Sequence, residues 1–284
     1  MPKKLTRRQL IKYGSLGIIG GLIGEGLLEP NRLESVSLAV PIKDLPASLS
    51  GFKIGILSDI HWGHAIDSIY MKKACDALMA FKPDLIVIPG DFLHGINRRT
   101  GEKPRFEGVI ESLDAPHGLL GVLGNHDHWT GKSYSRDQIL THSRVKLIDN
   151  AGVVIEGKEG LLAIGGVGDL WEDEINLKKA FHDVSPETPR ILLSHNPDVA
   201  EYVQTDKETR VDLQISGHTH GGQFVLPGIY DATSRVSKYG SKFNHGLVDG
   251  KRHRVYVSKG VGRPHGVRLF APPDVTCLTL VPAA

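Results

Sequence analysis

The sequence predicts an α/β fold whose polar residues cluster where strands end. Short β-rich apolar runs recur along the chain, beginning with Lys53–Leu57 and Leu85–Pro89. Between these two runs, apolar residues from Tyr70 to Phe81 recur at helical spacing, and Lys82-Pro83-Asp84 ends the helix. A strand–helix–strand unit of this kind favours a ligand site at the carboxyl ends of its strands.

The other elements are predicted from the same patterns. Apolar and polar residues alternate over residues 33–40, which indicates a strand with one buried face. Val153–Glu156 and Leu161–Val167 are predicted to form a hairpin. Further strands are predicted at Leu119–Leu123, Ile191–Ser194, Val211–Ser216, Val255–Ser258 and Val275–Leu280. Short helices are predicted at Glu107–Leu113, Arg136–His142 and Pro197–Gln204.

The composition is that of a globular protein with a sizeable core. The 284 residues are 40% hydrophobic and 23% charged, with no repeat or compositional break, so residues 29–284 are expected to form one domain. The net charge is +2, but the first 12 residues carry +5, which leaves −3 on the rest. That balance gives no basic field for binding nucleic acid. Cys75 and Cys277 are expected to be buried small hydrophobes, with a disulfide as the alternative.

Residues 1–28 have the layout of a targeting segment. Basic residues precede an uncharged run of 12 residues from Tyr13 to Gly24, which is shorter than the about 20 apolar residues that span a bilayer. Thr6–Lys12 (TRRQLIK) resembles the twin-arginine motif, so we expect export by the twin-arginine machinery to the cell envelope. Cleavage before about Pro30 and retention as a peripheral membrane anchor are both open, and a basic tail without a targeting role is the alternative.

Five polar segments follow predicted strands and supply donors for metal ions. They are Asp59-Ile60-His61, Gly90-Asp91, Gly124-Asn125-His126-Asp127, Ser194-His195-Asn196 and Gly217-His218-Thr219-His220. Their carboxylates, imidazoles and side-chain amide offer enough oxygen and nitrogen donors for two divalent cations. Two cations bridged by a carboxylate lie about 3.5–4 Å apart, the arrangement that clamps phosphate esters during hydrolysis.

This ordered set of segments resembles the calcineurin-like metallophosphoesterase superfamily over roughly residues 51–280. The tail segments Gly260–Pro264 and Arg268–Pro273 are similar to a bacterial phosphodiesterase-like branch that carries twin-arginine signals. The resemblance implies two stacked mixed β-sheets flanked by helices, a four-layer αββα sandwich. Its ligand pattern implies one cation on Asp59, His61, Asp91 and His220, and a second on Asp91, Asn125, His195 and His218.

The residues agree with this implied ligand set but do not identify the metal. Asp59 and His61 are separated by one residue, so both side chains leave the strand on the same side, and His218 and His220 repeat that spacing. Gly90 allows the tight turn that precedes the aspartate implied as the bridge. A nitrogen and oxygen site without a thiolate suits Mn²⁺, Fe, Zn²⁺ or Mg²⁺.

Two further residues are expected to be catalytic. The resemblance implies that His126 protonates the leaving oxygen or stabilises the transition state, and Asp127 would orient its ring, with a turn-forming role as the alternative. Of the other histidines, His64 and His128 are the candidates for a place beside the ligands, because each closely follows a motif. The remaining histidines are expected on the surface or in the core: His94, His117, His142, His182, His245, His253 and His265. For His94, which closely follows Gly90-Asp91-Phe92, a place lining the cleft is the alternative. Trp62, Trp129 and Trp171 either pack or wall the pocket.

The expected function is hydrolysis of phosphate mono- or diesters by in-line attack of a hydroxide that bridges two cations. The substrate would be a small phosphate ester or a phospholipid-like molecule. The alternative is a pyrophosphatase acting on a nucleotide-sugar lipid of the UDP-diacylglucosamine type, which a long apolar lid would favour. The loops Arg98–Arg105 and Gly222–Phe243 are instead polar and glycine-rich. A non-catalytic scaffold would have lost ligands or His126, and all are present.

Overall fold

Two six-stranded mixed β-sheets lie at the centre of the fold. A computed structural model describes residues 13, 20–22, 24–96, 100–182, 184–203, 209–264 and 266–283. Its strands are β1 (Glu34–Ile42), β2 (Lys53–Ile56), β3 (Leu85–Pro89), β4 (Leu119–Val122), β5 (Val145–Leu147), β6 (Ala151–Gly157), β7 (Gly160–Gly166), β8 (Arg190–Leu193), β9 (Leu213–Ser216), β10 (Val225–Leu226), β11 (Tyr230–Asp231), β12 (Gly246–Asp249), β13 (Arg254–Val257) and β14 (Asp274–Pro282). The sheet orders are β1-β14-β2-β3-β4-β5 and β12-β13-β9-β8-β7-β6, and β10 and β11 form a separate ribbon.

Helices cover the outer faces of both sheets. They are α1 (Ser68–Met79), α2 (Asn125–His142), α3 (Leu177–Ala180) and α4 (Val199–Tyr202). Helix α1 packs Ala74 and Leu78 into one buried cluster with Ile86 of the first sheet. Leu177 of α3 and Val199 of α4 belong to a cluster on the second sheet. The expected α/β fold with two mixed sheets and flanking helices is confirmed.

The two sheets face each other across a buried apolar cluster. Ile54 and Val87 project into it from the first sheet, and Ile164 and Ile215 project from the second. Their neighbours along each strand point to the helices, because side chains alternate between the two faces. Both faces of the central strands are buried, and for this reason their sequences are continuous apolar runs.

Each predicted strand is present, and two of the predicted helices are shorter or longer than expected. The alternating segment at residues 33–40 lies in β1, which pairs in parallel with β14. The predicted hairpin is β6 and β7. The helix predicted at Arg136–His142 is the last part of α2, which already begins at Asn125. The helix predicted at Pro197–Gln204 is α4, which ends at Tyr202.

The helix predicted at Glu107–Leu113 is wrong. The segment forms successive turns, with the backbone N–H of Val109 bonded to Phe106 O at 3.3 Å and that of Leu113 bonded to Ile110 O at 3.1 Å. Gly108 has φ of 71°, which lies outside the right-handed helical region and interrupts any helix at this point.

Several sequence predictions fall outside the described residues. They are the twin-arginine motif at Thr6–Lys12, most of the segment 1–28, Arg98 and Arg99 of the first loop, Gln204 and His265. None of the described helices has the length and apolar character needed to cross a membrane. Cys75 and Cys277 are both free and buried, as expected.

Candidate metal centre

The five polar segments meet at the carboxyl ends of strands from both sheets. Asp59 and His61 follow β2, Asp91 follows β3 and Asn125 follows β4, and these three strands run parallel in the first sheet. His195 follows β8, and the His218–His220 segment follows β9, which is parallel to β8 in the second sheet. Facing edges of the two sheets thereby bring together all seven donor residues predicted from the sequence.

The backbone at these strand ends is unusual. Asp59, His61 and Asp91 have φ of 50°, 50° and 55°, in the left-handed region that non-glycine residues rarely adopt. Such conformations cost about 1–3 kcal/mol each and cluster at functional sites. Gly90 has φ of 98°, and a Cβ there would lie 2.5 Å from Nδ1 of His195. Glycine therefore permits the close approach of the two sheet edges.

Four of the donor residues surround one position. His61 Nε2 lies 2.9 Å from His220 Nε2 and 3.4 Å from Asp91 Oδ2. Asp59 Oδ1 lies 3.5 Å from His220 Nε2 and 4.0 Å from His61 Nε2. All four side chains are buried. Converging lone pairs on buried side chains are a suitable cation ligand set.

A second group converges on the other side of Asp91. His195 Nε2 lies 3.3 Å from Asp91 Oδ2, 3.1 Å from Asn125 Oδ1 and 3.1 Å from His218 Nδ1. The opposite ring nitrogens of the two histidines face backbone carbonyls, Pro89 O at 2.8 Å and Val236 O at 3.1 Å. An N–H donated to those carbonyls leaves the inner nitrogen free to coordinate, which is the usual outer support of a metal-binding histidine.

Burial and mutual proximity shift the pKa values of these groups. Burial raises the pKa of Asp59 to about 6 and lowers that of His218 to about 3. Burial also lowers the pKa of His220 well below its usual value. Burial disfavours the charged form of the His195 imidazole, but the adjacent carboxylate of Asp91 favours it and raises the pKa of His195 to about 10. The buried carboxylates therefore attract positive charge to the position where the imidazole nitrogens converge.

His126 lies beside these groups, and its ring offers a nitrogen within 4.8 Å of nitrogens of His61 and His94. Its backbone N–H donates to Asp91 Oδ1 at 2.9 Å, and its ring packs edge-on against His61 at a centroid distance of 4.7 Å. The ring also lines a cavity of about 660 Å³ above the site. This placement presents the imidazole to any molecule that enters the cavity.

Asp127 has the turn-forming role that was the alternative for this residue. Its carboxylate accepts backbone N–H groups from Gly124 at 3.0 Å, Leu93 at 2.8 Å and Phe92 at 3.2 Å. No bond from this carboxylate to His126 is present among the described residues. Burial, followed by the nearby charge of Asp91, raises the pKa of Asp127 to about 8. The residue ties the start of α2 to the loop after Asp91.

His94 belongs to the site, so its expected place on the surface or in the core is wrong. Its Nδ1 lies 2.9 Å from Nδ1 of His61, and its ring stacks on that of His126 at 4.2 Å. His64 stacks on His94 at 4.7 Å, one step further out. His128 does not join the cluster, and its buried Nε2 has no hydrogen-bond partner within the described parts of the chain. The feature of the sequence that indicates this placement is that His94 follows the proposed ligand Asp91 by three residues.

Two of the three tryptophans line the cavity, and the third packs against the core. Trp129 and Trp171 line the cavity, stack on each other at 6.3 Å and are about half exposed. Trp62 instead donates to Arg105 O at 2.7 Å and packs against the core. Residues of the Gly222–Phe243 segment line the cavity as well. They include Phe224, Tyr230 and Val236, so the wall is more apolar than the composition of that segment indicates.

Comparison with known proteins identifies the class to which this site belongs. Residues 52–222 match the model of the calcineurin-like phosphoesterase family. The chain belongs to this family, and it is a metal-dependent hydrolase of phosphate esters.

Three relatives are similar along most of their length. The phosphodiesterase YaeI of Escherichia coli is 30% identical over 81% of this chain and 82% of its own. The metallophosphoesterase YkuE of Bacillus subtilis is 29% identical over 98% of each chain. The UDP-2,3-diacylglucosamine pyrophosphatase LpxG of Chlamydia trachomatis is 28% identical over 88% of this chain and 90% of its own.

Proposed function

We propose that the protein hydrolyses phosphate mono- or diesters with two divalent cations bridged by Asp91. One observation carries this proposal: Asp91 Oδ2 lies 3.4 Å from His61 Nε2 and 3.3 Å from His195 Nε2. A single carboxylate oxygen between two groups of donors is the position of a bridging ligand. The cations are Mn²⁺, Fe, Zn²⁺ or Mg²⁺, because all suit a nitrogen and oxygen donor set without thiolate.

The two cations would share the seven donor side chains. The first would be held by Asp59, His61, Asp91 and His220, and the second by Asp91, Asn125, His195 and His218. When bound, the pair supplies an activated water and neutralises charge on the phosphate oxygens. The protein holds these donors rigidly in a buried setting, where electrostatic interactions are stronger than in water.

His126 is the residue proposed to act on the leaving group. It lines the cavity, and its backbone is fixed to Asp91 by a 2.9 Å hydrogen bond. From this place the imidazole donates a proton to the departing oxygen or a hydrogen bond to the phosphate. The ring of His94, stacked at 4.2 Å, orients the His126 ring, a role that the sequence predicts for Asp127.

The test is reconstitution of activity in metal-stripped protein. We expect no hydrolysis of bis(p-nitrophenyl) phosphate or p-nitrophenyl phosphate without metal, and activity after addition of at least one of Mn²⁺, Zn²⁺, Fe²⁺ or Mg²⁺. Asp91→Asn should show no recovery with any of them. Full hydrolysis by the stripped protein, or wild-type recovery in Asp91→Asn, would contradict the proposal.

A second candidate is a pyrophosphatase that acts on a nucleotide-sugar lipid. The apolar wall of the cavity favours it, because Phe224, Tyr230 and Val236 offer a surface on which an acyl chain could lie. The relative named as a UDP-2,3-diacylglucosamine pyrophosphatase also supports it. Such a substrate would place its pyrophosphate at the donor cluster and its lipid arm along this wall.

Phe224 separates the two candidates. Phe224→Ala should raise KM for UDP-2,3-diacylglucosamine and leave hydrolysis of p-nitrophenyl phosphate unchanged. Phe270→Ala is the matched control, since Phe270 has a similar exposure, 50% against 43%, but does not line the cavity. Equal rates on UDP-2,3-diacylglucosamine and UDP-N-acetylglucosamine in the wild type would reject the lipid substrate.

We also propose that residues 1–28 direct export through the twin-arginine machinery to the cell envelope. The buried Glu29 supports a boundary upstream of it, because its carboxylate accepts the backbone N–H of Phe270 at 2.6 Å. Ser37-Leu38-Ala39 has the small-x-small form of a cleavage site, but cleavage after Ala39 would remove both Glu29 and most of β1. The segment is therefore either cut before Glu29 or retained as a peripheral membrane anchor.

A further inference from the structure

Arg268 is a fully buried arginine in the C-terminal tail. Within the described chain, no carboxylate lies within ion-pair distance of its guanidinium. The group instead donates to backbone carbonyls: to Gly262 at 2.7 Å, Lys259 at 2.8 Å, Gly260 at 3.0 Å and Ala271 at 3.0 Å. A buried cation without a counter-ion is costly, so its retention points to a specific use.

The guanidinium touches one proposed ligand directly. Its Nη2 lies 3.1 Å from Nδ1 of His220, on the opposite side of the ring from the converging Nε2. Its Nη1 lies 3.5 Å from the carbonyl oxygen of the same residue. Both the ring and the backbone of His220 therefore rest against Arg268.

The same guanidinium fixes the loop that contacts Asp59. The backbone N–H of Gly262 donates to Asp59 O at 2.7 Å, and that of Val261 donates to Ser58 O at 3.0 Å. A Cβ on Gly262 would lie 2.2 Å from Asp59 O, and one on Gly260 would lie 2.6 Å from Asp59 Cβ. The loop thus lies flush against Asp59, and its carbonyls are held by Arg268.

We infer that Arg268 is a positioning residue that sets Asp59 and His220 in place for the first cation. This inference rests on the ligand assignment of the proposed function. The guanidinium does not contact the ring nitrogens of the second position, because those of His195 and His218 are supported by Pro89 O and Val236 O. Loss of the guanidinium should therefore impair one position and spare the other.

Arg268→Lys tests this inference by metal counting. A lysine ammonium is a compact donor that cannot reach carbonyls on several sides as the planar guanidinium does. Loss of an outer partner of a metal ligand typically weakens metal affinity about 10–100-fold. After Mn²⁺ loading and dialysis, we expect two equivalents in the wild type and about one in Arg268→Lys, with the weaker step resolved by calorimetric titration.

Arg190→Lys is the matched control. Arg190 is also fully buried, but it begins β8, at the opposite end from the metal centre. Its guanidinium donates to Val184 O at 2.8 Å and Ser185 O at 3.2 Å. This variant should lose thermal stability and keep two equivalents. Two tightly bound equivalents in Arg268→Lys, or the same loss in both variants, would overturn the positioning role.

A measurement on the wild type covers the case in which Arg268→Lys does not fold. With ¹⁵N-labelled arginine, the two fully buried side chains should give slowly exchanging Nε–H signals, and Arg190→Lys assigns them by elimination. Zn²⁺ should shift the signal of Arg268 and leave that of Arg190 in place. An unshifted Arg268 signal in protein that has bound two Zn²⁺ would reject the inference. Protein that binds no cation would instead contradict the proposed function.

Discussion

Asp91 connects the two halves of the site because its two carboxylate oxygens have different partners. Oδ2 lies between His61 and His195, and Oδ1 accepts the backbone N–H of His126. The residue is thus shared by both proposed cation positions and by the start of α2. A substitution of Asp91 should weaken cation binding at both positions, whereas a substitution of a ligand that serves one position should weaken binding only there.

Asp91→Asn is expected to lose both cations. The amide keeps the shape but removes the negative charge that offsets the repulsion between two nearby cations. His61→Ala is the comparison, because His61 faces one side of Asp91 and the second group of donors stays intact. Metal analysis after dialysis should find close to none in Asp91→Asn and about one equivalent in His61→Ala. If Asp91→Asn retained two equivalents of metal, Asp91 would not be the bridging ligand.

His126→Ala is expected to keep the metals and lose catalysis. The ring belongs to neither proposed ligand set, and the backbone bond to Asp91 survives the substitution. Removal of a general acid typically lowers kcat about 10²–10⁴-fold. The loss should be largest for alkyl esters, which need a proton on the departing oxygen, and smaller for nitrophenyl esters. Equal losses across the series would assign His126 to charge stabilisation alone, and no loss would exclude it.

The seven donors could be predicted from the sequence because each lies in a short local pattern at a strand end. Arg268 and His94 could not be assigned in the same way. Arg268 reaches His220 across 48 positions of sequence, and only the folded loop brings them together. For Asp127 the sequence pattern gave the wrong contact. Its place beside His126 in the sequence predicts a contact between the two side chains, but the carboxylate binds the backbone N–H groups of Gly124 and Leu93 instead.

At the scale of elements, turns at strand ends decide how closely the two sheets approach. Asp91 follows β3 through Gly90, and His195 follows β8 in the other sheet. The missing side chain of Gly90 leaves room for the imidazole of His195. Helix α2 then starts at Asn125 and fixes the amide ligand in its first turn.

Gly90→Ala is expected to displace His195 and release the second cation. The new Cβ would lie 2.5 Å from the ring, and φ of 98° adds backbone strain of about 1–3 kcal/mol. Gly118→Ala is the control, because Gly118 has φ of 80° with open space around its Cβ position. Both variants should be less stable to heat, and only Gly90→Ala should lose metal. Equal metal content in the two would show that the contact is not needed.

The start of α2 shows why part of the element pattern was missed. The stretch from Asn125 to Ser133 is polar and carries Gly131, whose φ of 119° interrupts the helix. Its first turn is stabilised by Asp127 and by the loop after Asp91, rather than by an apolar face. Periodicity cannot report a helix that tertiary hydrogen bonds hold in place.

At the scale of the whole molecule, the site exists only when both sheets are assembled. The first sheet supplies Asp59, Asp91 and Asn125, and the second supplies His195 and the His218–His220 segment. Ligands that bind the folded form alone stabilise it by mass action, by about 2.7 kcal/mol at 100 times Kd. Cations at this junction should therefore load onto folded protein and hold the two sheets together.

Exchange of both motif arginines, Arg7→Lys with Arg8→Lys, should strand folded, metal-loaded protein in the cytoplasm. The resemblance to twin-arginine signals implies a route that carries folded cargo, and a centre built from two sheets must be assembled before such export. Fractionation should find the variant inside the cell, with two cations per chain and wild-type activity after purification. Lys3→Arg with Lys4→Arg is the matched control, because it keeps the charge outside the motif and should leave export unchanged. Unaltered arrival of the Arg7 and Arg8 variant in the envelope would reject the twin-arginine assignment, while leaving the metal centre untouched.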